Sequence, residues 1–144
     1  MAADNAASLV VRADTEAIGE IRRFIENFAR SRAIADADLA RVLIAVEELV
    51  TNIVRYGYGP GEAVGEARVT LKLDGGRFAV EIADNSRPFD PFAQPEPDLD
   101  APIEARRIGG LGLYIVKALM DQTRYRRDGA YNVVEISRPV AFAK

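Results

Sequence analysis

From Asp36 to Gly57 the chain carries its strongest pattern. Leu39, Val42, Leu43, Val46, Leu49, Val50 and Ile53 recur at the three- and four-residue intervals of one helix face. The spacing predicts a long amphipathic helix, capped by Asp36 or Asp38 and stopped by Gly57 and the Gly59-Pro60-Gly61 turn. A stripe of this kind has to be buried against another layer of structure. Beside the stripe, Glu48 and Asn52 stand four residues apart, so one helical turn stacks them on the same side. Arg41, Ala45 and Arg55 fall along that side as well. A carboxylate and a carboxamide projected together offer oxygen acceptors and one amide donor. Hard cations such as Mg²⁺ take oxygen ligands, and a carboxylate can draw the proton from a nearby hydroxyl. A solvated helix face has the same composition, so the pair does not decide the matter alone.

The rest of the chain supplies the other layer. Ser8 to Arg12 is a short apolar strand. Asp14 or Thr15 caps a helix whose stripe is Ala17, Ile18, Ile21, Phe24, Ile25 and Phe28. That stripe fits the domain core, and its two Phe also fit a seam with a partner helix. Val69, Leu71 and Leu73, the Asp74-Gly75-Gly76 turn, and Phe78, Val80 and Ile82 alternate as an antiparallel hairpin ending at Ala83-Asp84. Asn85 to Ile108 breaks the pattern with five prolines (Pro88, Pro91, Pro95, Pro97, Pro102) and reads as a lid, a binding loop or a disordered piece. A helix with Leu113, Ile115, Val116, Leu119 and Met120 follows. A basic strand (Thr123 to Arg127), an Asp128-Gly129 turn and a closing strand (Tyr131 to Ser137) complete the chain. The expected fold is α+β: a two-layer sandwich, a mostly antiparallel mixed sheet with helices on one face.

Composition narrows the chemistry. The chain has 144 residues, no cysteine and no histidine, which removes thiol nucleophiles, Ser-His triads, His- or Cys-bound zinc and a phosphorylatable His. A length of 144 residues fits one domain spanning 1–144. A net charge of −3 gives no electrostatic footprint for nucleic acid or an anionic membrane surface. No apolar run approaches the roughly 20 residues of a membrane span, and the first residues lack the basic and apolar regions of a signal peptide. The expectation is a cytoplasmic protein.

Two further constellations join Glu48 and Asn52. Gly109-Gly110-Leu111-Gly112 opens a helix directly after the proline-rich loop. Helix N-termini present unpaired N–H groups and partial positive charge to phosphates, and glycines let the backbone approach closely. The run has no Lys-Ser or Lys-Thr after it and no third glycine, so it is neither a Walker A loop nor a dinucleotide fingerprint. Asp84 ends a strand and begins Asp-Asn-Ser-Arg-Pro-Phe-Asp-Pro. A carboxylate there can accept from an adenine amine, although strand-ending turns often carry Asp.

Taken in order, E-x-x-x-N on a helix, D-x-x-x-P-F-D-P after a strand and G-G-L-G-L at a helix start resemble the GHKL ATPases, which share the Bergerat ATP-binding fold. Within them the chain is most similar to the anti-sigma-factor serine kinases of bacterial partner-switching systems. Glu48 to Asn52 matches the N box, Asp84 to Pro91 the first glycine box and Gly109 to Leu113 the second. Asp128 to Asn132 resembles the last element beside the adenine. The resemblance implies ATP and Mg²⁺ as cofactors. It implies that Asn52 holds Mg²⁺, Glu48 is the general base toward a serine hydroxyl and Asp84 reads the adenine. Pro88, Phe89 and Asn132 belong with Asp84 in the nucleotide site. Gly109, Gly110, Leu111 and Gly112 line the phosphates, and Arg106 or Arg107 touches the γ-phosphate from a lid at about 92–108. The implied function is an anti-sigma factor that phosphorylates a STAS-type anti-anti-sigma protein and binds a sigma factor, with homodimerisation a family habit. The alternative is a non-enzymatic, nucleotide-dependent binding switch. The chain departs from the family at Ser86, where the box carries glycine. If that position requires positive φ, serine is penalised by roughly 1 kcal/mol and ATP affinity suffers.

Overall fold

A computed structural model describes residues 5–93 and 110–143. Strand β1 (Ala6–Arg12) leads through a two-residue link into helix α1 (Thr15–Ser31). Asp14 caps α1, its carboxylate accepting the Glu16 N–H at 3.1 Å. Helix α2 (Asp36–Tyr56) follows, then the hairpin β2 (Glu66–Asp74) and β3 (Arg77–Asp84), a short 3-10 turn at Pro91–Ala93, helix α3 (Gly110–Leu119), and the hairpin β4 (Gln122–Asp128) and β5 (Tyr131–Pro139). Gly75, Gly76 and Gly129 close the hairpins with positive φ.

The sheet order is β1-β2-β3-β5-β4, and all of its pairings are antiparallel. Alternation sends Val69, Leu71, Phe78, Val80, Ile82 and Ile136 inward, where each is fully covered. Their strand neighbours Arg68, Lys72, Glu81, Glu135 and Arg124 lie on the other face. The helices cover the apolar face, with α2 packed against both α1 and α3. The expected two-layer α+β sandwich is therefore the fold, and its sheet is antiparallel throughout.

Phe28 of α1 belongs to this core. Its ring stacks on Phe78 with centroids 5.6 Å apart, while Phe24 is only half-buried. Of the two expected uses of that stripe, packing inside the domain accounts for Phe28.

The start of α2 corrects one expectation. Its N-cap is Ala35, without a side-chain cap, and neither Asp36 nor Asp38 caps the helix. Asp38 turns inward instead and is 8% exposed. It accepts the Ala141 N–H at 2.8 Å and pairs with Arg138 at 3.3 Å and Arg41 at 3.4 Å. Charge-assisted bonds in a shielded place are stronger than a cap at the surface, so the carboxylate goes to the tail. Ala45, placed by the sequence beside Glu48, is likewise fully buried. Arg138 also donates to the Leu119 carbonyl at 2.6 Å. One side chain thus ties the start of α2 to the end of α3, which makes the two helices antiparallel. Among the described residues, no helix is long and apolar enough to cross a membrane.

Candidate functional site

The second half of α2 is the floor of the site. Glu48 and Asn52, both half-exposed, lie on successive turns. Gly57 ends the helix another turn and a half further on. At a rise of about 1.5 Å per residue, Glu48 and Gly57 are roughly 14 Å apart along the axis. The two ends of this line meet different partners.

At the Glu48 end lies the beginning of α3. A Cβ placed on Gly112 would fall on the Glu48 carboxylate, 2.9 Å from its Cδ. The antiparallel packing of α2 and α3 thus sets a carboxylate directly over the first turn of α3. Gly112 leaves that carboxylate in place, since a side chain here would push it aside. Gly110 and Leu111 open α3, and their backbone is placed beside this contact. One turn on, the Asn52 amide donates from Nδ2 to the Glu48 carbonyl at 2.9 Å. A carbonyl only accepts, so the amide orientation is fixed and Oδ1 is left as the outward oxygen. A single amide oxygen suits Mg²⁺, which takes few protein ligands and completes its shell with phosphate oxygens and water. Among the described residues, no cluster of three or more acidic side chains gathers to hold a metal by itself.

At the Gly57 end lies the loop after β3. Asp84 is 3% exposed, Ser86 6% and Asn132 3%, so three polar side chains meet in a sealed corner. Asp84 and Asn132 are paired across β3 and β5 in the sheet register. The Asp84 Oδ2 accepts from the Ser86 backbone N–H at 3.1 Å, from the Ser86 hydroxyl, and from Asn132 Nδ2 at 3.4 Å. Asn132 donates further to Ser86 Oγ at 3.2 Å and to the Arg87 carbonyl at 2.8 Å. Its own oxygen accepts the Phe89 N–H at 3.1 Å and the Tyr125 hydroxyl at 2.7 Å. Asn132 therefore pins the box loop at both Arg87 and Phe89. The Phe89 ring itself is exposed, and so is Pro88.

The backbone answers the question raised by Ser86. Among the described residues, Ala33 is the one non-glycine with positive φ. Ser86 thus has an ordinary backbone, and the penalty that a left-handed position would impose does not arise. Its side chain has room because Gly57 faces it: a Cβ on Gly57 would lie 2.8 Å from Ser86 Cβ.

Several supports were not singled out in the sequence. Tyr125 and Arg127 share the inward face of β4, and Arg127 donates to the Ser86 carbonyl at 2.9 Å. Period-two alternation within the basic strand would have separated them from Arg124 and Arg126. Asn85 accepts the Tyr58 hydroxyl at 2.8 Å and the Glu66 N–H at 3.0 Å, which ties the loop to the start of β2. Burial, and next the charge of Asp84, pushes the Tyr58 phenol above its ordinary value of 10.0. Lys117 of α3 donates to the Phe92 carbonyl at 3.0 Å. Arg106, Arg107, Gly109 and the expected lid beyond Ala93 lie outside the described residues.

Residues 11–138 match the family of histidine kinase-like ATPase domains. The serine-protein kinases RsbW of Bacillus thuringiensis, Bacillus cereus and Bacillus anthracis are each 30% identical over 133 residues, covering 86% of this chain and 79% of the relative. A crystal structure of RsbU and RsbW domains from Mycobacterium tuberculosis superposes with a TM-score of 0.65 over 96% of this chain, at 19% identity. The chain spans 34% of that longer one, and the likeness is one of fold.

Proposed function

The chain belongs to the histidine kinase-like ATPase domain family, on its anti-sigma-factor serine kinase branch, and from that premise we propose that it transfers the γ-phosphate of ATP to a protein serine. The observation that carries this reading is the order of groups along α2. A sealed carboxylate corner stands at one end, an outward amide oxygen in the middle, and a carboxylate over the start of another helix at the other end. A nucleoside triphosphate laid along this line meets matching chemistry at each part.

In this reading Asp84 accepts from the adenine amine, with Asn132, Pro88 and Phe89 around the base. Asn52 supplies its Oδ1 to Mg²⁺, which would neutralise charge on the phosphates. Gly109, Gly110, Leu111 and Gly112 give the phosphates the backbone N–H groups of the α3 N-terminus. Arg106 or Arg107 would supply positive charge to the γ-phosphate from the expected lid at about 92–108. Glu48 takes the serine proton as the serine oxygen bonds to the γ-phosphorus and the bond to the β–γ bridging oxygen breaks, releasing ADP. The protein substrate is a STAS-type anti-anti-sigma protein. A sigma factor is the second partner, held by a homodimer in the cytoplasm.

The test begins with calorimetry of Mg²⁺-ATP on the wild type and on Asn52→Ala. Binding that depends on Mg²⁺ and is lost in the variant is expected. Label transfer from γ-labelled ATP to a STAS-type protein of the same organism should follow, and should vanish in Glu48→Ala while ATP still binds. ATP bound by the wild type with no label ever reaching such a partner would leave the binding switch as the function.

A further inference from the structure

We propose that Ser86 is a positioning residue that makes the base site selective for a purine bearing an exocyclic amine. The inference rests on the nucleotide reading above and adds to it a residue that the family pattern fills with glycine. Its ground is the polarity of the hydrogen-bond network around Asp84.

That polarity is fixed by groups that work one way only. The Phe89 N–H can only donate, so the Asn132 atom facing it at 3.1 Å is Oδ1. The Arg87 carbonyl can only accept, so the atom facing it at 2.8 Å is Nδ2. Nδ2 then also donates to Ser86 Oγ at 3.2 Å. With a lone pair used in this way, the Ser86 hydroxyl sends its hydrogen to Asp84 Oδ2. The alternative acceptor, the Arg87 carbonyl at 3.5 Å, is farther and uncharged. The chain runs from Asn132 through Ser86 to Asp84 in one direction.

The consequence falls on the carboxylate. Oδ2 takes the Ser86 N–H and the Ser86 hydroxyl, which fill its two lone-pair sites, while Asn132 Nδ2 stands farther off at 3.4 Å with its two hydrogens on the Arg87 carbonyl and Ser86 Oγ. Among the described residues, none donates to Oδ1, which is the acceptor left over for a ligand. Asp84 therefore cannot rotate without breaking the two bonds from Ser86, and it presents a single acceptor to a ligand. An amine donates to it, whereas a ring C–H offers nothing. A glycine at position 86 would keep the backbone N–H bond and lose the hydroxyl. The carboxylate would then be held on one side only, and Asn132 would lose an acceptor. The space for the hydroxyl is part of the fold, since a Cβ on Gly57 would lie 3.1 Å from Ser86 Oγ.

The test compares ATP with purine riboside triphosphate, which lacks only the 6-amine, by calorimetry on the wild type, Ser86→Ala and Ser86→Gly. The wild type should prefer ATP. Both variants should lose about tenfold or more in ATP affinity, the worth of a hydrogen bond to a charged group. Their affinity for purine riboside triphosphate should stay within about twofold, so the preference collapses. A merely structural role would lower both affinities together and leave the ratio unchanged, and that result overturns the proposal. Ser86→Gly restores the residue usual in the family and gives the same readout if the alanine variant folds poorly. Binding of neither nucleotide by the wild type would instead refute the nucleotide reading itself.

Discussion

Gly112→Ala should separate catalysis from stability. The added Cβ would land on the Glu48 carboxylate, 2.9 Å from Cδ and 3.6 Å from Cγ. Separations under 3.0 Å are not tolerated, so something must shift. What shifts is the far end of a flexible, half-exposed side chain, because only Glu48 atoms stand in the way. The fold should therefore not suffer. Alanine is preferred over glycine in a helix by up to about 1 kcal/mol, which would raise the melting temperature by as much as about 3 °C in a chain of this size. The carboxylate, however, must retreat by on the order of 1 Å, and a misplacement of that size costs about a hundredfold in rate. Phosphoryl transfer to the protein substrate should fall by that factor in single-turnover label transfer, with the melt unchanged or higher. The double variant Glu48→Ala/Gly112→Ala should be no slower than Glu48→Ala, because both act through one group. Two results would refute the reasoning. An unaltered transfer rate would mean that the position of Glu48 is not what the chemistry needs. A melting temperature lowered by several degrees would mean that the obstruction is not a flexible side chain.

Asp38→Ala should destabilise the fold by about 3 kcal/mol, because it removes a charged acceptor from Ala141 and strands Arg138, whose side chain is 19% exposed. The full penalty of a buried unpaired charge does not apply, since Arg138 keeps the Leu119 carbonyl and some solvent. Urea unfolding measures this, and a loss under about 1 kcal/mol would deny Asp38 its part in holding the tail. Tyr58→Phe should change the alkaline limb of stability. The folded phenol titrates above its ordinary value of 10.0, so its contribution is complete below that pH and is lost as pH rises through the folded value. The stability difference between wild type and Tyr58→Phe should be constant from neutral pH up to about 10 and shrink beyond it. A difference that stays constant in urea unfolding at still higher pH would show that Tyr58 is not perturbed by the fold.

The order and type of the elements were legible because each rests on a short-range rule. The α2 stripe, the two glycine-closed hairpins and the Asp14 cap follow from periodicity and turn chemistry, which need no knowledge of partners. Asp38 was misjudged for the opposite reason. Capping is a local preference, and it gave way to Arg138 and Ala141, a hundred residues away in the chain and invisible to any window. The site divides in the same way. The spacing of Glu48 and Asn52 placed them on one helix face, and that much holds. What no spacing could supply is that Gly112 clears the way for Glu48, or that Tyr125 and Arg127 turn toward the box loop.

Ser86 shows the limit most sharply. In the sequence it is a gap in a glycine pattern, and whether the gap does harm depends on its φ and on what faces it. Both are tertiary facts: an ordinary backbone angle, and a glycine at the end of α2 that leaves the side chain its room. Given those two, the serine that looked like a break in the pattern becomes a second hold on the Asp84 carboxylate. A substitution inside a motif is therefore poorly judged by its distance from the pattern. It is better judged by whether the donors and acceptors that it adds find partners, and here each of them does.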